Sequence, residues 1–155
     1  MNYGSVSSTG FYATDTVCFY NSSTTCTTNF NIFIMMSQSG MPRNIAAISG
    51  LATDSLGNGP NLIKSMKTSG IITNSVFSFY LEGMTTTSYL DIGIIDNTAM
   101  KDSSNLYMIP ILTNNYWWAA NVEGIRFGTT DADAWGLDAT MAILDSGTSC
   151  LSIPN

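Results

Sequence analysis

The sequence predicts an all-β fold with one or two short helices. Three observations carry that expectation. The apolar runs are short, rich in Val, Ile, Phe and Tyr, and separated by clusters of Gly, Asn, Asp and Ser, which is the pattern of strands joined by tight turns. A single stretch combines helical spacing with both a start and a stop signal. Of the 155 residues, 45% are hydrophobic and 11% aromatic, enough for the packed core of one medium domain or two half-domains.

Taken in order, Tyr3 to Phe19 is rich in Thr, Val, Phe and Tyr and broken by Gly4 and Gly10, so it reads as a hairpin followed by a strand over Thr16 to Tyr20. Asn29 to Met36 alternates and then runs apolar, a further strand. Ser37 to Asn44 mixes Ser, Gly, Pro and Arg and marks a loop, after which Ile45 to Ala52 returns to small and branched residues expected to be buried. Pro60 follows the Gly57 to Gly59 loop with its φ already helical. Leu62, Ile63 and Met66 then share one face, and Gly70 stands as the stop, so the helix is short. Val76 to Glu82, Tyr89 to Ile95, Leu106 to Leu112, Trp117 to Val122, Ile125 to Phe127 and Met141 to Asp145 read as strands. Asp96 to Asn105 has no large apolar residue except Met100 and marks the expected boundary between units 1–96 and 97–155.

Charged residues are only 10% of the chain, while Ser, Thr and Asn number 19, 19 and 14, so the surface must be polar without being charged. Five basic against 11 acidic residues give a formal charge of -6, which repels nucleic acid. The longest apolar run, Ile32 to Met36, is far short of the roughly 18 residues a helical membrane span needs. No basic start, apolar core or cleavage site follows Met1, so the sequence reads either as cytosolic or as one beginning inside something longer. Cys18 and Cys26 flank the turn-forming run Asn21 to Thr25; a cross-hairpin disulfide and two free thiols both remain open, with Cys150 unpaired within this chain.

With no histidine there is no Ser-His or Cys-His couple and no imidazole-ligated zinc, so catalysis would rest on carboxylates, hydroxyls or thiols. Few basic groups also limit the positive charge gained in acid, which blunts acid unfolding. One segment concentrates suitable groups: Met141 to Leu144, then Asp145, Ser146, Gly147, Thr148 and Ser149. A buried apolar strand is expected there to deliver a carboxylate into a turn where Gly allows close backbone approach and hydroxyls bond the ionised form. On these residues alone, the better reading is that Asp145 simply nucleates a turn through its side chain.

In several places and in the right order, the chain resembles the pepsin-like aspartic peptidases. Apolar residues leading into Asp145-Ser146-Gly147-Thr148-Ser149 look like the second catalytic motif of that family. Tyr3-Gly4-Ser5, then Thr9-Gly10 and Asp15-Thr16-Val17, are similar to its flap hairpin and the following strand. Ile48-Ser49-Gly50-Leu51-Ala52 resembles the segment beneath the first catalytic site. Gly70-Ile71-Ile72, Val76 to Leu81, Leu90 to Asp96 and Tyr116-Trp117 continue the match along essentially the whole chain.

The resemblance implies part of a bilobal β fold: the second half of the N-terminal lobe and the first part of the C-terminal lobe. It implies Asp145 as a catalytic carboxylate, and Tyr3, Gly4, Ser5, Gly147 and Thr148 as substrate-binding residues. Ile48, with Ile45, either lines an apolar pocket or belongs to the core. Tyr116 either borders the cleft or packs, and Trp117-Trp118 is expected to be buried. The implied partners are a peptide or protein substrate and, for the complete enzyme, pepstatin-like inhibitors. The implied parent is a monomer with neither metal nor cofactor, secreted or held in a vacuole or lysosome.

Departures accompany the match. The first Asp-Thr-Gly motif that the family places before the flap is not among these residues, so one catalytic Asp is expected here. Ser49 and Ala47 stand where an apolar residue and a Gly are usual, and Val6 replaces a common flap Gly, stiffening the tip. Two other readings stay open: a non-catalytic relative that binds peptide, and an unrelated secreted all-β adhesion or coat domain. Asn21-Ser22-Ser23 also fits a glycosylation sequon.

Overall fold

The computed structural model describes residues 2–3, 6–19, 22–41, 44–53, 61–82, 87–113, 116–126, 128–129, 134–135, 140–148 and 150–153. Among the described residues the regular structure is mostly β-strand, with a single short α-helix. Two compact units divide the chain: Met1–Leu51 with Gly57–Ser103, and Ala52–Leu56 with Ser104–Asn155.

In the first unit, β1 (Asn2–Tyr3), β2 (Val6–Cys18) and β3 (Cys26–Ser39) form an antiparallel sheet in that order. The Thr, Val, Phe and Tyr content suits a pleated ribbon. β2 runs through Gly10 and Thr16 as one strand, where the sequence suggested a separate hairpin and strand. The chain accommodates Gly10 by a shift of register between Thr9 and Gly10, and a Cβ there would lie 2.9 Å from the Ile34 carbonyl carbon. Cross-strand partners then match in chemistry: Thr9 and Ser37 hydroxyls meet at 2.6 Å, Thr14 donates to Asn31 at 2.9 Å, and Tyr12 meets Phe33 edge-on at 5.3 Å. This hydroxyl and amide ladder is how a sheet exposed over much of its length stays polar with so little charge.

At the far end of the β2–β3 hairpin, a 3-10 turn over Ser23–Thr25 is capped by the Ser22 hydroxyl, which accepts from the Thr24 amide at 3.3 Å. The Thr25 hydroxyl donates to the carbonyls of Phe19 and Ser22. Cys18 and Cys26, directly opposite in register, are joined as a disulfide, and Cys150 is free and exposed.

The helix α1 (Leu62–Thr68) starts with the Asn61 side chain accepting from the Lys64 amide at 3.1 Å. It ends on Gly70 at φ 72, where Gly70 N–H donates to Lys67 and Ile71 N–H to Met66, both carbonyls of the last turn. Pro60 lies outside the described residues. Leu62, Ile63 and Met66 are buried, and α1 lies against β3, whose Thr27 is 2% exposed and hydrogen-bonds Ser69 at 3.1 Å. That contact is the core of this unit. Beyond it, β4 (Phe77–Tyr80) pairs with β5 (Tyr89–Ile92), Tyr80 stacking on Tyr89 at 4.9 Å. Asp96 follows, capping a 3-10 turn over Asn97–Ala99.

One apolar segment in each unit departs from the sequence expectation. Ile45 to Gly50 is exposed and irregular, not buried, because it pairs with no strand among the described residues. Leu106 to Leu112 likewise forms no strand: Pro110 removes a donor from its middle, and its Leu112 amide bonds the Ala119 carbonyl at 2.8 Å.

The second unit holds two small ribbons, β6 (Ala119–Asn121) with β9 (Met141–Ile143), and β7 (Ile125–Arg126) with β8 (Ala134–Trp135). Sequence reading missed β8 because Ala134-Trp135 sits among Asp and Gly. Ala119 and Ala120 are buried, but β9 is exposed along its length, against the expectation of a buried strand. A two-stranded ribbon has no second layer to receive Met141 and Ile143 among the described residues. Trp117, expected to be buried, is 46% exposed.

Candidate active site

Asp145 stands two residues beyond β9, where the strand passes into a turn. Two backbone bonds set its position. The Leu144 amide donates to the Trp118 carbonyl at 2.8 Å, extending the β6–β9 pairing by one rung, and the Thr148 amide returns to the Asp145 carbonyl at 3.2 Å. The carboxylate is then engaged at both oxygens. Gly147 N–H donates to Oδ1 at 2.8 Å and the Thr148 hydroxyl donates to Oδ2 at 2.6 Å.

Both donors favour the charged form. The Thr148 hydroxyl chiefly, and the Gly147 amide after it, hold Asp145 below the ordinary carboxylate range, against a smaller opposing effect of desolvation. The result is an exposed carboxylate with both oxygens engaged by donors that favour its charged form. Ser146 stands between Asp145 and the first of its donors, Gly147, in sequence, while Ser149 lies outside the described residues.

Of the other expected site residues, Tyr3 is in β1 with its backbone opposite Val6, and Gly4 and Ser5 lie outside the described residues. Ile48 is 46% exposed in an irregular segment of the first unit, and Tyr116 is 57% exposed. Sequence reasoning did not foresee the Trp118 carbonyl as the anchor of the strand that leads into Asp145. Its signal was the small pair Ala119-Ala120, which lets β6 sit close against its surroundings.

The sequence model of the eukaryotic aspartyl protease family matches residues 1–155. The chain belongs to that family. Similar curated proteins are gastricsins: that of Oryctolagus cuniculus is 30% identical over 99% of this chain and 40% of its own length, that of Suncus murinus 29% identical over the same shares, and that of Homo sapiens 27% identical. The chain thus spans about 40% of the length of the curated relatives it matches. A match running from end to end removes the reading as an unrelated adhesion or coat domain. Among the described residues no cluster of three or more His, Cys, Asp or Glu is arranged to hold a metal, and no helix is long and apolar enough to cross a membrane.

Proposed function

We propose that these residues are part of an aspartic endopeptidase, with Asp145 as one of two carboxylates that activate a water molecule to attack a peptide bond. The observation that carries the reading is the engagement of both Asp145 oxygens by Gly147 and Thr148, in a chain matching the family from end to end. Two close carboxylates cannot both ionise cheaply, so a pair shares one proton. One then acts as base toward water while the other donates to the carbonyl oxygen, and the roles exchange as the amine leaves. The partner carboxylate belongs to polypeptide beyond these 155 residues, since no other Asp here stands in such a motif.

On this reading, residues 1–96 complete an N-terminal lobe and 97–155 open a C-terminal lobe. Tyr3 closes over an extended peptide as part of the flap, and Gly4 and Ser5 supply backbone and hydroxyl hydrogen bonds to it. Gly147 and Thr148 border the scissile bond, and Ile48 meets an apolar substrate side chain. The disulfide supports a secreted, vacuolar or lysosomal location. The test is hydrolysis of an unstructured polypeptide at acid pH by the complete protein, blocked by a pepstatin-like inhibitor, and no turnover by the 155 residues alone. Peptide binding without cleavage by the complete protein would indicate a non-catalytic relative.

A further inference from the structure

We propose that Tyr80 and Tyr89 form an oxidative modification site, at which their rings are joined by a carbon–carbon bond between ortho carbons while Glu82 and Asp96 take up the phenol protons. The inference does not depend on the peptidase reading. The co-reactant it requires is a peroxide, acting through a haem peroxidase.

The two tyrosines are the last pair in register at the loop end of the β4–β5 ribbon. Their rings stack with centroids 4.9 Å apart and planes 16° from parallel. Side chains of a directly opposed pair leave a sheet on the same face, so the phenol ends of both rings lie on one side of the ribbon. The Ser88 hydroxyl keeps this end closed, accepting from the Glu82 amide at 3.2 Å and donating to the Glu82 carbonyl at 3.4 Å. Each phenol also has its own carboxylate. Tyr89 donates to Asp96 Oδ2 at 3.3 Å, and Tyr80 donates to Glu82. The Thr98 amide and hydroxyl occupy Asp96 Oδ1 at 2.8 and 2.5 Å, which leaves Oδ2 to the phenol. Glu82 holds Tyr80 above the ordinary tyrosine range, and desolvation with the Asp96 charge does the same for Tyr89, so both phenols carry the proton that the reaction releases.

The Cys18–Cys26 disulfide already joins directly opposed residues at the hairpin end of β2–β3, and such bonds persist in oxidising compartments. A Tyr80–Tyr89 bond would tie β4 to β5 in the same way. In the reaction, each tyrosine gives one electron to the peroxidase and its phenol proton to its carboxylate, leaving a neutral phenoxyl radical. The two radicals pair their electrons in a new bond between ring carbons ortho to oxygen. Each of these carbons then loses its hydrogen as a proton while each oxygen regains one, which restores both phenols. The two electrons and two protons released overall reduce one hydrogen peroxide to two water molecules.

The experiment is treatment of the complete protein, kept dilute, with a haem peroxidase and limiting hydrogen peroxide, followed by dityrosine fluorescence, size-exclusion chromatography and peptide mass mapping. Of the seven tyrosines, Tyr107 is 78% exposed and Tyr89 only 37%, so accessibility and proximity make different predictions. The proposal expects the chief product to be a link within one molecule between the Tyr80 and Tyr89 peptides, lighter by two hydrogen atoms than the sum of the two. The link should be lost in Tyr80→Phe and in Tyr89→Phe, which keep the stacked rings. Its rate of formation should fall several-fold when Glu82→Gln and Asp96→Asn are combined, with circular dichroism verifying that each variant is folded. Cross-links formed chiefly through Tyr107 or between molecules, the absence of any Tyr80–Tyr89 link in the wild type, or an undiminished rate in the folded carboxylate variant overturns the proposal.

Discussion

Replacing Cys18 and Cys26 together with Ser should lower stability by about 2.5 kcal/mol. The magnitude follows from the loop that the disulfide closes. The sequence separation is 8, and the loss of closure entropy in the denatured chain for so short a loop is worth about 2.5 kcal/mol at 25 °C. The native state should change little. Phe19 N–H still reaches the Thr25 carbonyl at 3.0 Å, and the Thr25 hydroxyl still bridges Phe19 and Ser22. The cost therefore arises in the denatured ensemble, and a larger m-value should accompany the lower midpoint in urea. For a unit of 60 to 100 residues, 2.5 kcal/mol corresponds to a fall in Tm of roughly 10 to 20 °C. The assay is urea and thermal unfolding followed by far-UV circular dichroism in a Cys150→Ser background, which prevents exchange through the free, exposed thiol. An unchanged midpoint, with the Cys18–Cys26 link in the parent verified by mass, would refute the reasoning.

Three further perturbations test other parts of the structure. Gly10→Ala brings a Cβ against the Ile34 carbonyl group and the Phe33 ring, so the β2–β3 ribbon must shift, at a cost of about 1–3 kcal/mol in urea unfolding; no loss would mean that the bulge is misplaced. Ile63→Ala empties a position only 4% exposed between α1 and β3 and should cost about 2–5 kcal/mol, and a loss below about 1 kcal/mol would place the core elsewhere. Thr148→Val removes the chief donor to Asp145, so its carboxyl should titrate closer to the ordinary range by carbon NMR, while Thr148→Ser keeps the lowered value. Because folding lowers this pKa, ionised Asp145 stabilises the fold above the ordinary carboxylate range. That contribution is lost as pH falls through the lowered value, and Thr148→Val should flatten this part of the profile.

Local signals proved legible where they act within a few residues. The helix was readable because Leu62, Ile63 and Met66 share one face and Gly70 supplies the positive φ of the stop. The Asp145 turn was readable because its two donors lie two and three residues onward. What escaped depends on partners distant in sequence. Ile45 to Gly50, Leu106 to Leu112 and β9 are apolar enough to be buried, but composition does not say which layer covers them, and among the described residues none does. β2 ran past its expected break because the Ile34 backbone fills the space that Gly10 leaves open. The site is legible in the same proportion. Asp145, Gly147 and Thr148 stand together by chain proximity, while the placing of Tyr3, Gly4, Ser5 and Ile48 at substrate remains a proposal drawn from the family.

The most direct test of the account is steady-state kinetics of the complete protein carrying Asp145→Asn, with a thermal melt as folding control. Asn keeps the size of the side chain but loses the charge that accepts a proton, so kcat should fall by about 10²–10⁴-fold or more with KM little changed and the melt intact. Tyr3→Ala measured alongside should lose less in kcat and shift KM and specificity more, as expected of a residue that orders substrate. An Asp145→Asn protein that retains near-normal turnover contradicts the catalytic assignment, whatever Tyr3 does.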